Sequence, residues 1–343
     1  MAHRRHKKRK LNKKRIFLVL LIPIIIIASA TIAYGMHLMN KAENTVDDSY
    51  QSVDRDNQQS SLRHETVNPI EDNVSILIIG VDNSDKRDYE YGRSDALMLA
   101  TFNKDKQNVK LVSIPRDTYT YIPEVGYNTK INHAHAYGGP SATLETVENF
   151  MNVPVDYYVQ VNFNAFIETV NSLGGIPYDV PFEMYEMNSD DEDRSIHLLP
   201  GEQELNGEEA LALARSRKYD NDIKRGGRQR DIIKTIVDQA TSVSSITKIG
   251  NLIDSIGNNM KTNISFNEMK SFAKYGLNQE LTMESITLKG DGGYMDDGLW
   301  YYQVRESSRA HVEKTLRKHL DLPIQHQKTT EFTNKHPDAD PAF

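Results

Sequence analysis

Arginines and aspartates, and the spacing between them, are the parts of this chain equipped for chemistry. Arg215, Arg217, Arg225, Arg228 and Arg230 fall within sixteen residues, with only Asp220 and Asp222 as acids among them. A guanidinium offers a fixed fork of donors to phosphate oxygens, and a helix N-terminus adds backbone N–H groups to such a grip. Upstream, Asp82 ends Ile79-Gly80-Val81-Asp82, Asp95 ends Gly92-Arg93-Ser94-Asp95, and Arg116-Asp117 follow Ser113-Ile114-Pro115. If the strands carrying them are neighbours, Asp82 and Asp95 share one sheet edge. Two such carboxylates suit a Mg²⁺ ion that takes its other ligands from water and phosphate. With Arg93, Arg116 and the later arginines around it, that site would neutralise a pyrophosphate and the charge that develops as its bridge breaks. The plainer alternatives are a solvated basic face and ordinary turn aspartates.

The elements that must position these groups follow from apolar spacing. Val74–Val81 is a continuous apolar run, a buried strand, followed by strands over Ala96–Phe102 and Val109–Ile114. Helices are expected at Ser141–Met151 and Asn164–Leu173, with strands at Val155–Val161 and Ile176–Val180. Gly207 to about Lys218 is a helix, Gly226-Gly227 a break, and a second helix starts near Arg228 with Ile232, Ile233, Ile236 and Val237 at helical spacing. Glu183–Ser195 and Gly290–Gly298 have loop composition, and Glu306–Leu320 is the final helix. The alternation predicts an α/β class, a central mixed β-sheet flanked by helices. Apolar faces of the helices at Ser141–Met151, Asn164–Leu173 and Arg228–Thr241 are candidates to line a lipid slot against the sheet, with core packing as the alternative. His133 and His135 fall near the site region, structural or substrate-facing, with no third partner at metal-ligand spacing.

Charge and hydropathy place the molecule. The 343 residues hold 41 Lys+Arg and 48 Asp+Glu, yet nine of the bases precede Ile16 and no acid precedes Glu43. The remainder is strongly acidic, which argues against direct nucleic-acid binding. Residues 1–15 form a basic stub, and 16–36 an uncharged, mostly apolar segment roughly 30 Å long as a helix, enough for one transmembrane span. Ala28-Ser29-Ala30 resembles a signal-peptidase site, but the apolar run is longer than a usual signal core, so an uncleaved anchor is expected. The bases before it set a single-pass type II topology with the large domain extracellular. Residues 37–73 are polar and read as a stalk, 74–322 as the folded domain, and 323–343 as a disordered tail. The chain contains no cysteine, so disulfides and thiolate metal sites are excluded.

Ile-Gly-Val-Asp at 79–82, Gly-Arg-Ser-Asp at 92–95, Ser-Ile-Pro-Arg-Asp at 113–117 and Lys-Ile-Asn-His at 130–133 occur in this order. Phe163–Pro177, Leu205–Leu211, Ala-Arg-Ser-Arg at 214–217 and Arg-Gly-Gly-Arg-Gln-Arg at 225–230 follow. With this set the chain resembles the LytR-CpsA-Psr family of cell-wall assembly proteins. The resemblance implies a phosphotransferase that moves a phosphorylated glycopolymer, wall teichoic acid or capsule, from a polyprenyl-pyrophosphate carrier to a peptidoglycan hydroxyl. It implies Asp82 and Asp95 as ligands of Mg²⁺ (or Mn²⁺). It also implies Arg93, Arg116, Arg215, Arg217 and Arg225 as pyrophosphate contacts, with Gln229 beside them and Arg228 as the alternative to Arg225. The nucleophile is then the acceptor hydroxyl, and Asp82 or Asp117 is the candidate for its proton. Two other readings stay open: a cell-envelope transcriptional regulator or attenuator, and a hydrolase that grips the lipid pyrophosphate without joining the polymer.

Overall fold

The computed structural model describes residues 33–324, apart from 56–57, 70, 82–91, 217, 220–221, 241–258 and 279–281. The chain divides into two units, Met1–Asn44 and Thr45–Phe343. In the first, the described residues 33–44 are helical, part of α1 (33–49). No described helix is long and apolar enough to cross a membrane. The expected span at 16–36 lies almost wholly outside the described residues, as does nearly all of the expected tail.

In the second unit the order is β1 (Val74–Val81), β2 (Ser94–Asn103), β3 (Asn108–Ile114), β4 (Tyr119–Ile122), β5 (Tyr127–Lys130), α2 (His133–Met151), β6 (Tyr157–Asn162), α3 (Phe163–Leu173) and β7 (Ile176–Val180). Next come β8 (Met184–Glu186), β9 (Ile196–Leu198), β10 (Gly201–Leu205), α4 (Gly207–Arg215), α5 (Asp222–Ala240), β11 (Met260–Thr262) and α6 (Phe266–Asn278). The last elements are β12 (Thr282–Thr287), β13 (Gly290–Tyr294), β14 (Trp300–Val304) and α7 (Glu306–His319). Six strands form the central sheet in the order β11-β6-β1-β2-β3-β12. The β1–β2 and β2–β3 pairs are antiparallel, while β1–β6 and β3–β12 are parallel. The mixed α/β architecture expected from the sequence is present.

Strand alternation divides the work of the sheet. Leu77, Ile79, Leu97 and Leu99 face one side, where Leu144, Val147, Phe150 and Met151 of α2 and Val312 and Leu316 of α7 complete the main core. Ile78, Gly80, Ala96 and Met98 face the other, toward α3, α4 and α5. The segment expected to be a stalk is a correction, because its part from Thr45 onward belongs to the folded unit. Val53 is buried in the main core, Arg55 pairs with Glu148 at 2.9 Å, and Arg63 grips Asp156 with two hydrogen bonds of 2.9 and 2.6 Å. Apolar content alone missed this segment because buried ion pairs and a few valines dock it.

Gly226-Gly227 does not break a helix, since α5 runs through both residues. A Cβ at Gly226 would stand 2.8 Å from Ser113 Oγ, so glycine lets α5 lie against β3. The expected loops at 183–195 and 290–298 each contribute a short strand, β8 paired with β9 and β13 paired with β14.

His319 closes α7 in the core, 1% exposed, with Nδ1 2.8 Å from Thr101 Oγ1 and Nε2 2.8 Å from Asn108 Oδ1. Burial, with Lys110 and Lys106 nearby, holds its pKa down at about 4. The unfolded chain takes up that proton below about 6.5. Stability present above that pH is therefore lost as pH falls toward 4. Chemical denaturation at pH 7.5 and 5 is expected to show this loss, and His319→Gln to remove part of the slope. An unchanged slope in the variant would contradict the assignment.

Candidate active site

Proline ends β3, and the turn after it is clamped on two sides. Thr118 N donates to Pro115 O (3.0 Å), Asn132 N to Arg116 O (3.2 Å) and Tyr302 N to Asp117 O (2.9 Å). Arg116 is thus displayed from a rigid edge, and its guanidinium forms an ion pair with Asp95 at the start of β2. Its Nε is buried without a hydrogen bond, 3.6 Å from Asp117 Oδ2. Asp117 accepts an ion pair from Lys130 Nζ at 3.0 Å and is 8% exposed. Asp117 therefore stands behind Arg116 as a positioning group, outside the cavity lining.

A second group of donors comes from the helix pair opposite. In α4, Asn206 caps the N-terminus with a reciprocal bond to Glu209, which sets the helix phase and leaves Arg215 in the last turn. The Arg215 guanidinium lies 4.7 Å from the Phe163 ring centroid, a cation–π contact that fixes its direction. On α5, Arg225, Gln229, Ile232 and Ile233 fall at i, i+4, i+7 and i+8 and share one face. Gln229 Nε2 donates to Ala214 O at 3.2 Å and ties the two helices together.

These groups surround one cavity of about 280 Å³. Its floor is a patch of cross-strand neighbours, Ile78 opposite Met98, with Gly80 between Ala96 and Val161. Glycine and alanine at the Asp95 end leave room where larger side chains would fill it. Phe163 and Phe166 of α3, Leu211 of α4, and Ile232 and Ile233 of α5 supply apolar walls. The α2 segment Ser141–Met151 was also expected to line a lipid slot; it packs on the other sheet face, because Leu144 and Val147 meet the Leu77–Leu99 side. Asp95, Arg116, Arg215, Arg225 and Gln229 line the cavity together. An apolar cleft with three guanidiniums and one carboxylate among its lining residues can hold a polyanionic headgroup with a greasy tail.

The remaining expected residues are placed differently. Arg93 is exposed two residues before Asp95. Asp82 and Arg217 lie outside the described residues, although the preceding Val81 pairs with Ser94 beside Asp95. Arg228 is buried away from the cavity lining, and its Nε and Nη2 donate to Leu213 O (3.2 Å) and Ser216 O (2.8 Å) at the end of α4. Arg228, the alternative to Arg225, thus braces orphan helix carbonyls, while Arg225 lines the cavity. Arg228→Ala is expected to cost about 2 kcal/mol of unfolding free energy, measurable by denaturant titration, whereas a loss of turnover at unchanged stability would return Arg228 to the binding set. His135 joins Gly92 O (2.7 Å) and Gln160 Oε1 (3.0 Å), a structural latch.

Arg230, the last of the clustered arginines, is 8% exposed, and its Nε is buried without a hydrogen-bond partner among the described residues. Burial lowers its pKa, with Asp231 acting in the opposite sense, and the buried charge adds to the positive potential of α5. Its place one turn after Gly226, in a run already rich in arginine, was the available signal.

The chain is similar to proteins of known family and structure. The LytR_cpsA_psr family model matches residues 36–318. A Bacillus subtilis relative named polyisoprenyl-teichoic acid–peptidoglycan teichoic acid transferase TagU is 38% identical over 92% of this chain and 99% of its own. Among solved structures, TagT bound to LIIa-WTA superposes with a TM-score of 0.69 at 35% identity, covering 79% of this chain and 100% of that one. TagT, a B. subtilis protein, with bound octaprenyl pyrophosphate lipid gives a TM-score of 0.65 at 33% identity over the same shares.

Proposed function

The chain belongs to the LytR_cpsA_psr family, and on that ground we propose that it transfers a phosphorylated glycopolymer from a polyprenyl-pyrophosphate carrier to a peptidoglycan hydroxyl. The observation that carries the reading is the single cavity in which apolar walls and the guanidiniums of Arg116, Arg215 and Arg225 meet. The walls take the polyprenyl chain and the arginines the pyrophosphate, with Arg93 beside Asp95. The acceptor oxygen attacks the polymer-side phosphorus, the bridging P–O bond breaks, and the lipid keeps the other phosphate. Arg116, Arg215 and Arg225 withdraw the charge that builds on the oxygens in that step, and their fixed positions avoid reorganisation during it. The hydroxyl proton has Asp82 as its candidate acceptor, since Asp117 is engaged by Lys130 and lies outside the lining.

The donor set fits a hard divalent cation: Asp95 offers carboxylate oxygen at the cavity, 30% exposed, and Asp82 follows the strand end paired beside it. Asp95 and Asp82 would hold Mg²⁺ (or Mn²⁺) there, and the ion would supply positive charge against the phosphate oxygens. Asp95 is held toward that point by Arg116. Chelation is expected to abolish transfer and added Mg²⁺ to restore it, read as joined product on gels. Residues 16–36 would anchor the protein in the cell membrane, with the large domain outside and the cleft working on membrane-borne lipid in a Gram-positive envelope.

The test supplies lipid-linked polymer with and without peptidoglycan oligomers. A joined product that requires acceptor is expected. Release of free polymer alone would favour the hydrolase. The regulator is not favoured, because TagU and TagT, relatives similar over most of this chain, carry transferase names and the cleft suits a lipid pyrophosphate.

A further inference from the structure

Helix α2 is interrupted close to its start. Gly138 (φ −150°, ψ 27°) and Gly139 (φ 60°, ψ −148°) are non-helical, and Pro140 follows. The left-handed φ at 139 is readily available to glycine. The chain thereby sets residues 133–137 apart as one turn, aimed independently of the core-packed remainder. On that turn His133 and Tyr137 lie at i and i+4 and share a face.

This turn builds an aromatic surface with the β4–β5 hairpin. Tyr127 at the start of β5 donates its hydroxyl proton to the Tyr137 hydroxyl (3.0 Å), and their ring centroids are 6.4 Å apart. The His133 ring stands edge-on to Tyr137 at 6.1 Å, and its Nδ1 lies 3.1 Å from Thr129 Oγ1. Three rings are thus fixed by one another, yet Tyr127 is 48% exposed and Tyr137 41%. Aromatic side chains of this size in solvent need a reason when polar residues would serve the hairpin equally well. Their neighbour is the phosphate site. Ser94 N donates to Asn132 O (3.4 Å) and His135 Nδ1 contacts Gly92 O (2.7 Å), so the Gly-Arg-Ser-Asp segment is strapped to the same turn. The exposed Arg93 is close enough to act on both His133 and Tyr137 electrostatically.

We propose that Tyr127, Tyr137 and His133 form a carbohydrate platform that stacks a pyranose ring beside the phosphate held at Arg93 and Asp95. A sugar ring presents C–H groups on its faces and hydroxyls on its rim. Flat rings with outward phenol oxygens satisfy both, and Arg93 adds a donor for the adjoining phosphate. The inference rests on the proposed transferase reading and deepens it. The same chemistry is offered by the polymer's own first sugars and by the acceptor glycan.

Binding, measured by calorimetry without turnover, tests the platform independently of transfer. The probes are an N-acetylglucosamine tetramer, which is acceptor-like and carries no phosphate, and N-acetylglucosamine 1-phosphate, which is donor-like. The double variant Tyr127→Ala/Tyr137→Ala is expected to weaken at least one probe by about tenfold, while Tyr127→Trp/Tyr137→Trp, which keeps the rings, retains binding. Loss confined to the tetramer assigns the platform to the acceptor; loss confined to the sugar phosphate, or of both probes, assigns it to the donor side or to both. Wild-type binding of neither probe, or affinities within twofold in the alanine variant, would overturn the proposal. So would unchanged sugar binding with lost partitioning to phosphatidylglycerol vesicles, which would mark the tyrosines as a lipid contact. Circular dichroism confirms that each variant is folded.

Discussion

Replacing Arg116 by alanine is expected to lower turnover at saturating donor by about a hundred- to a thousandfold, the usual cost of removing a fixed donor from developing charge. Arg116 is the cation that the turn after β3 contributes to the cavity. It pairs with Asp95, is backed by Asp117 and Lys130, and lines the cavity opposite Arg215 and Arg225. Its side chain is 23% exposed, so removing it is expected to change unfolding free energy by no more than about 1 kcal/mol. Steady-state kinetics with denaturant titration of the same preparation separates the two effects. Arg116→Lys, which keeps the charge but not the planar fork, is expected to fall between wild type and alanine. Near-wild-type turnover in Arg116→Ala would remove it from the catalytic set.

The second large effect comes from filling the cavity. Ala96 lies in register with Gly80, where small side chains leave the floor open. Ala96→Phe places a ring in existing space rather than in the packed core of Leu97 and Leu99 on the opposite face, so the fold is expected to tolerate it. Polyprenyl pyrophosphate binding should fall to background, and transfer with it, while the far-ultraviolet spectrum stays unchanged. Titration with octaprenyl pyrophosphate reads the first outcome. Wild-type lipid affinity in Ala96→Phe would mean that the tail lies elsewhere.

How far the sequence revealed this depends on the element. The central strands were visible because β1 to β3 are long and apolar between turn residues, and register then carries Asp95 and Arg116 to one edge. Arg215 could be placed from the last turn of an apolar helix. The pair Gly226-Gly227 misled, because the same glycines that break a helix also let one approach a strand, and Ser113 is distant in sequence. Distinguishing Arg225 from Arg228 requires knowing that the α4 carbonyls end beside Arg228, which no local pattern contains. Asp117 sits next to Arg116 in the chain, yet Lys130 decides its role from another strand. The hairpin β4–β5 carries three tyrosines across its strands and lacks a clean apolar alternation, so the aromatic surface it supports emerged only in three dimensions.

The central claim is that the apolar cavity and the arginines at Arg116, Arg215 and Arg225 are one lipid-pyrophosphate site. A crystal of the folded unit from Thr45 onward, soaked with octaprenyl pyrophosphate and Mg²⁺, tests it most directly. The account predicts density for the prenyl chain between Ile78, Met98, Phe166 and Ile232, with both phosphates within hydrogen-bond reach of those three guanidiniums. Phosphate density at any other surface, with the cleft empty at saturating ligand, would contradict it.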